Sequence, residues 1–342
     1  MSDLEGDRVR QFRSVVMGAL AIGLLLPAIG SSRAGAAPPY KVATIEEIAT
    51  TAFIRTITLQ DPTAPPPGVN DWSCQPSAAH PVPVVLVHGT GGNRYTNWGY
   101  LGPRLANEGY CVFALNYGGL WPTAVFQATD AATPEIPGIR PSGLDSSAAQ
   151  INAFIDQVTA ATGKPQVDLI GHSQGALLSL YIPKLTDHAA KVHGVIGLGS
   201  PTQGSTAGGF TMFGDAIGFT PLMNLLASYG CEICGDIPIP GSVLMQRLHA
   251  GGIAIPGIRY TMIASRLDRI ASPAVSNFIV VADQPPAAQP LITNVLIQDV
   301  CPASTVGHTG EAYDGNVFQI VRNALDPANA TPVVCGPSGP PF

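Results

Sequence analysis

The stretch from Val167 to Leu180 limits the possible folds more than any other. A nearly continuous apolar run, Val167 to Ile170, enters Gly171-His172-Ser173-Gln174-Gly175 without a spacer, and the helix-forming run Ala176 to Leu180 follows at once. A strand that passes straight into a helix needs a corner tight enough to strain the serine backbone. Side chains two positions to either side would collide with the neighbouring strand and helix, so glycine stands there. The serine hydroxyl is thereby raised at a helix N-terminus, whose partial positive charge favours a developing anionic oxygen. In this context G-x-S-x-G marks Ser173 as a candidate nucleophile.

The rest of the chain from about Pro81 repeats the strand-then-helix alternation that gives a mostly parallel sheet covered on both faces. Predicted strands are Val84 to Val87, Cys111 to Leu115, Val167 to Ile170, Val195 to Leu198, Tyr260 to Ala264 and Val295 to Ile297. Each is almost wholly apolar, as doubly buried strands are. Between them, Ile151, Phe154, Ile155 and Val158 fall on one face of a helix over Leu144 to Thr162, which Gly163 and Pro165 stop. A second such face, Val317, Ile320, Val321, Ala324 and Leu325, predicts a helix ending before Pro327. Two regions break the pattern. Residues 37–80, with Pro65-Pro66-Pro67, read as an N-terminal arm over the surface. Residues 203–258 carry formal charge only at Asp215, Glu232, Asp236 and Arg247 and are too long for a plain connection, so they read as a cap or lid insertion in a domain spanning 81–342.

Composition decides the compartment. Of 342 residues, 46% are hydrophobic and 12% charged, which excludes disorder for most of the chain and leaves either a membrane protein or a loop-rich exported one. Arg8, Arg10 and Arg13 lead into the apolar run Val15 to Gly30, which Pro27 breaks and Ala34-Gly35-Ala36 follows. That is the layout of a signal peptide over residues 1–36, and the run is short for a membrane span. Export makes disulfides the default for Cys74, Cys111, Cys231, Cys234, Cys301 and Cys335; the expected pairs are Cys74–Cys111, Cys231–Cys234 and Cys301–Cys335. A net charge of −6 without a basic stripe argues against nucleic acid as partner. Nothing in the sequence implies a stable protein partner, a metal or an organic cofactor.

A nucleophilic serine needs a base, and the base an orienting acid. In this architecture the chain order is nucleophile, acid, histidine. Of the seven histidines only His308 follows the last predicted strand. The acid expected is Asp268, just beyond the strand Tyr260 to Ala264, with Asp299 and Asp283 as rivals. Oxyanion donors are expected from the backbone N–H groups of Thr90 and Gln174, because small residues, His88-Gly89-Thr90-Gly91-Gly92, follow the strand Val84 to Val87. A phosphate loop is excluded by the missing Gly-Lys-Ser/Thr, and the dinucleotide fingerprint by Arg94 in place of its third glycine. His88 lies outside the expected order and is read as structural.

The segments Val84 to Tyr95, Asn97-Trp98, Leu105-Ala106, Gly109 to Phe113, Asn116-Tyr117-Gly118 and Gly171 to Gly175 closely resemble the secreted bacterial lipases of class 2. The resemblance is densest from Asn70 to Pro201 and resumes around Asp268 and from Asn294 to Asp326. It implies an α/β-hydrolase fold, a triad of Ser173, Asp268 and His308, and hydrolysis of acylglycerols or related carboxylic esters. Ala176, Leu267 and the segment 203–258 depart from the family pattern, and the last of these leaves acyl preference open. The apolar cap residues Phe210, Met212, Phe213, Ile217, Phe219, Leu222, Met223, Leu225 and Leu226 suit acyl chains at a lipid–water interface, or a plain cover over the sheet. The rival readings are a short-chain carboxylesterase, a serine peptidase or thioesterase on the same fold, and a non-enzymatic secreted binding module.

Overall fold

The structure is a computed structural model that describes residues 39–44, 47, 64–90, 92–118, 144–206, 221–222, 225 and 238–339. The predicted leader at 1–36, the predicted Cys231–Cys234 pair and most of the apolar stretch 207–237 lie outside the described residues. In chain order the elements are β1 (Val84–Val87), α1 (Arg94–Trp98), α2 (Leu101–Asn107), β2 (Val112–Ala114), α3 (Leu144–Thr162), β3 (Val167–His172) and α4 (Gln174–Leu185). There follow β4 (Val192–Leu198), α5 (Val243–His249), β5 (Arg259–Ala264), β6 (Ile292–Leu296), α6 (Ile297–Val300) and α7 (Gly315–Leu325).

Among the described residues the strands form one six-stranded sheet in the order β2-β1-β3-β4-β5-β6. Every pairing is parallel, with Val85 opposite both Phe113 and Leu169, and Gly197 opposite both Gly171 and Met262. The strands' alternation divides the core between two faces. Val85 and Val87 of β1 join Ile151, Phe154 and Ile155 of α3 and Leu177, Leu178 and Tyr181 of α4. Val84 and Leu86 point the other way, into Trp98, Leu101 and Leu105 of α1–α2 and Val317, Phe318 and Val321 of α7. Each such side chain removed from water contributes about 1.5–3 kcal/mol, so both faces are held by the helices that flank them.

Local chemistry fixes where the helices begin and end. Asn93 caps α1 with a capping box through Thr96, and Asp314 caps α7 by accepting from the N–H groups of Asn316 and Val317. Gly163, at φ +65°, ends α3 in the left-handed region, as glycine past a helix end does. The strand β6 starts at Ile292, three residues before its apolar run, and carries exposed Thr293 and Asn294. It is an edge strand, half open to water, so its pattern alternates with polar residues, and Ile297 already belongs to α6.

The opposite edge is covered by the described part of the N-terminal arm. Val69 bridges to Val112 in parallel, and the Asn70 side chain both donates to the Ala114 carbonyl and accepts from its N–H. A Cys74–Cys111 disulfide ties this arm to the start of β2, and a Cys301–Cys335 disulfide ties the C-terminal tail to the end of α6. In the 203–258 segment, Leu244, Met245, Leu248, Ile253, Ala254 and Ile258 pack into the same core as α3 and α4. Among the described residues no helix is long and apolar enough to cross a membrane.

Candidate active site

All six strands point the same way, so their C-terminal ends share one rim. The strand order reverses at β1, which opens a crevice beyond the ends of β1 and β3. Ser173 stands at that point, between β3 and α4, with φ +56° and ψ −122°. Few non-glycine residues tolerate such a backbone, and it turns the side chain out of the sheet. Its N–H is held by the Leu198 carbonyl at the end of β4. The two glycines of the motif are required by contact with main chain. A Cβ on Gly171 would lie 2.3 Å from the Gly175 carbonyl oxygen, and one on Gly175 would lie 2.1 Å from that of Val87.

Three side chains from separate loops meet above this corner. His308 Nε2 is 2.9 Å from Ser173 Oγ, and His308 Nδ1 is 2.7 Å from Asp268 Oδ2. The Asp268 carboxylate is buried, and its other oxygen accepts from the N–H groups of Ile270 and Ala271 at 2.7 and 2.9 Å. Both carboxylate oxygens are thus occupied, and the imidazole is held with Nδ1–H toward the acid and Nε2 toward the serine. The rival Asp299 is exposed and paired with Arg266 at 2.5 Å. Asp283 sits exposed in the turn Val281–Asp283.

The loop after β1 runs against the serine. A Cβ on Gly89 would lie 3.0 Å from Ser173 Cβ, and the Thr90 hydroxyl donates to Gln174 Oε1 at 3.0 Å. Gln174 opens α4, so its N–H is among those a helix leaves without an internal partner. Thr90 and Gln174 therefore flank the serine from the two loops of the crevice. His88 is fully buried, stacks on Tyr117 at 4.3 Å and hydrogen-bonds to the Gly89 carbonyl through Nδ1. Burial lowers its pKa to about 4, which keeps it neutral and structural. Four further histidines lie elsewhere. His188 pairs with Asp156 and Asp187, His193 with Asp168, His249 with the Thr202 carbonyl, and His80 stacks on Tyr110.

Three supporting residues were not visible as such in the sequence. His172 is buried beneath the site and donates from Nε2 to the His308 carbonyl at 2.9 Å. Its Nδ1 lies 3.2 Å from Asn97 Oδ1, which also accepts from Gly89 N–H at 3.0 Å. Gly199, at φ +55°, leaves the space His308 fills, since a Cβ there would lie 2.9 Å from its Nδ1. A small residue directly after a strand was the available signal for Gly199.

A family model described as alpha/beta hydrolase fold matches residues 82–216. Triacylglycerol lipases of Pseudarthrobacter phenanthrenivorans and Burkholderia plantarii are each 34% identical over 133 residues, 37% of this chain and 35% and 32% of theirs. The chain thus spans about a third of the length of these curated relatives. Among solved structures, Aspergillus fumigatus lipase B is similar with a TM-score of 0.46 and 17% identity, over 74% of this chain and 53% of that one. A soluble variant of monoglyceride lipase from Saccharomyces cerevisiae gives 0.49 and 17%, over 76% and 91%. A parallel sheet in this strand order, a serine on the strained turn after β3 and the family match around it identify the chain as a protein of the α/β-hydrolase fold.

Proposed function

We propose that this protein is a secreted lipase that hydrolyses carboxylic ester bonds of acylglycerols through an acyl-enzyme on Ser173. The observation that carries the reading is the unbroken hydrogen-bonded chain from Ser173 through His308 to Asp268. His308 takes the serine proton as Oγ attacks the ester carbonyl, Asp268 stabilises the imidazolium that results, and the N–H groups of Thr90 and Gln174 receive the oxyanion. The imidazolium then protonates the departing alcohol. In the second half, His308 removes a proton from water as it attacks the acyl-enzyme, and Ser173 leaves with that proton returned.

The choice of lipid ester draws on the two triacylglycerol lipase relatives and on exposed apolar side chains of the loop that carries Asp268. Leu267, Ile270 and Val275 stand 44%, 56% and 66% exposed there, an arrangement suited to a substrate held at an interface. Export is supported by the leader-like segment 1–36 and by the disulfides Cys74–Cys111 and Cys301–Cys335. The test is hydrolysis of p-nitrophenyl esters by Ser173→Ala, for which kcat falls by several orders of magnitude. Activity near that of the unmodified protein would refute the assignment. Comparing emulsified long-chain triacylglycerol with soluble butyrate ester separates lipase from short-chain carboxylesterase. Labelling of Ser173 by a fluorophosphonate excludes a binding module with an inert site.

A further inference from the structure

Glu311 lies in the turn Thr309–Tyr313, directly after His308, and is wholly buried. Its Oε1 accepts from the Ser265 N–H at 3.0 Å, and Ser265 is the first residue after β5, on the loop that leads to Asp268. Its Oε2 is buried and has no hydrogen-bond partner among the described residues. A Cβ on Gly199 would lie 2.9 Å from His308 Nδ1 and 3.1 Å from Glu311 Oε2, so this oxygen and the imidazole share one niche. The groups that face it are His308, Asp268 on the loop after β5, and Asp314 on its own turn. No step of ester hydrolysis calls on this side chain.

An ionised carboxylate in this place would face two others without a cation and out of water, which is far costlier than retaining a proton. Burial first, and then the Asp268 charge, raise the Glu311 carboxyl well above the ordinary carboxylate range. With Oε1 receiving the Ser265 N–H, Oε2 is the oxygen that carries the proton.

We propose that Glu311 is a positioning residue, a carboxylic acid that keeps its proton, ties the loop bearing Asp268 to the turn bearing His308, and leaves Asp268 as the charge that balances the imidazolium. This rests on the reading of Ser173, His308 and Asp268 as the catalytic set. It has a thermodynamic mark of its own. A carboxyl whose folded pKa exceeds its unfolded one stabilises the fold most below the unfolded value and loses that contribution as pH rises toward the folded value. Glutamine has the same shape and cannot ionise. The unfolding constant of the unmodified protein relative to Glu311→Gln therefore rises by up to about tenfold per pH unit from roughly pH 5 until the folded carboxyl itself ionises.

The experiment measures urea unfolding and p-nitrophenyl butyrate kinetics from pH 5 to 9 for the unmodified protein, Glu311→Gln and Glu311→Ala, with fluorophosphonate labelling of Ser173 alongside. Glu311→Ala is expected to lose about tenfold in kcat with KM within about twofold. Glu311→Gln restores kcat to within about threefold and leaves the acid limb of the pH profile in place. A pH-independent stability ratio, or an acid limb displaced downward in Glu311→Gln, would overturn the proposal, since either means that Glu311 is ionised in the folded protein. If Glu311→Ala does not fold, the comparison of Glu311→Gln with the unmodified protein decides alone. Failure of Ser173 to label refutes the ester-hydrolase reading instead, while the unfolding ratio still reports the proton on Glu311.

Discussion

The imidazole of His172 donates from Nε2 to the backbone carbonyl of His308 at 2.9 Å. The residue next to the candidate nucleophile thereby holds the loop that supplies its base. Burial, and then the nearby His308, lower the His172 pKa to about 3, so the ring is neutral and its Nε2 proton is committed to this bond. His172→Phe keeps a ring of similar size but leaves the carbonyl without its donor. An unmade buried hydrogen bond costs about 1–3 kcal/mol, which corresponds to about fivefold to 150-fold in kcat if it appears at the His308 position. Steady-state kinetics on p-nitrophenyl butyrate should show that loss with KM nearly unchanged. A kcat within twofold would mean that the loop keeps its position without the bond.

The two glycines around Ser173 and the glycine that ends α3 should respond differently to alanine. At Gly175 the new methyl would lie 2.1 Å from the Val87 carbonyl oxygen and 2.4 Å from that of His88, main-chain atoms at the end of β1 that have nowhere to move. Gly175→Ala is expected to cost about 3 kcal/mol or more in urea unfolding. Gly163→Ala meets nothing within 4 Å and bears only the strain of φ +65°, about 1–2 kcal/mol. Equal losses at the two positions would contradict this ranking.

The two aspartates near the histidine loop are separated by their partners. Asp268→Asn leaves the site's shape intact but replaces the carboxylate that His308 Nδ1 faces, and kcat should fall by about four orders of magnitude. Asp299, exposed and paired with Arg266, has a surface ion pair to lose, worth about 0–1 kcal/mol. Asp299→Asn should therefore retain kcat within about twofold. The reverse pattern in p-nitrophenyl ester kinetics would transfer the orienting role to Asp299.

What the sequence made legible was what neighbours along the chain determine. Val84–Val87 and Leu144–Thr162 form as the apolar patterns predict, because a doubly buried strand and a one-sided helix each impose a period that can be read directly. The corner at Ser173 was legible for the same reason, since strand, glycines and helix are contiguous. The edge strand β6 was read three residues short because exposed Thr293 and Asn294 interrupt its apolar run. The supporting contacts were not readable at all. Glu311 meets Ser265 across 46 residues and His172 meets His308 across 136, and only the folded sheet makes them neighbours.

The two disulfides among the described residues close loops of similar length, with sequence separations of 37 and 34, so chain entropy alone predicts a similar stabilisation of about 4 kcal/mol from each. Their positions predict different effects on activity. Cys111 lies just before β2, at the N-terminal ends of the strands, away from the rim that carries Ser173. Cys301 follows α6 on the approach to His308, and the tail it binds is also fastened there. Thr305 N–H donates to Ser338 Oγ at 2.9 Å, and Gly339 N–H to Asp314 Oδ2 at 2.6 Å. Replacing Cys301 and Cys335 by alanine should lower both the unfolding free energy and kcat, because the His308 loop loses its outer support. Replacing Cys74 and Cys111 should lower the unfolding free energy by a similar amount and preserve kcat, provided the assay is run well below the unfolding temperature. Urea unfolding paired with ester kinetics on the two double variants tests this. Equal kcat losses in both would show that the tail does not act through His308.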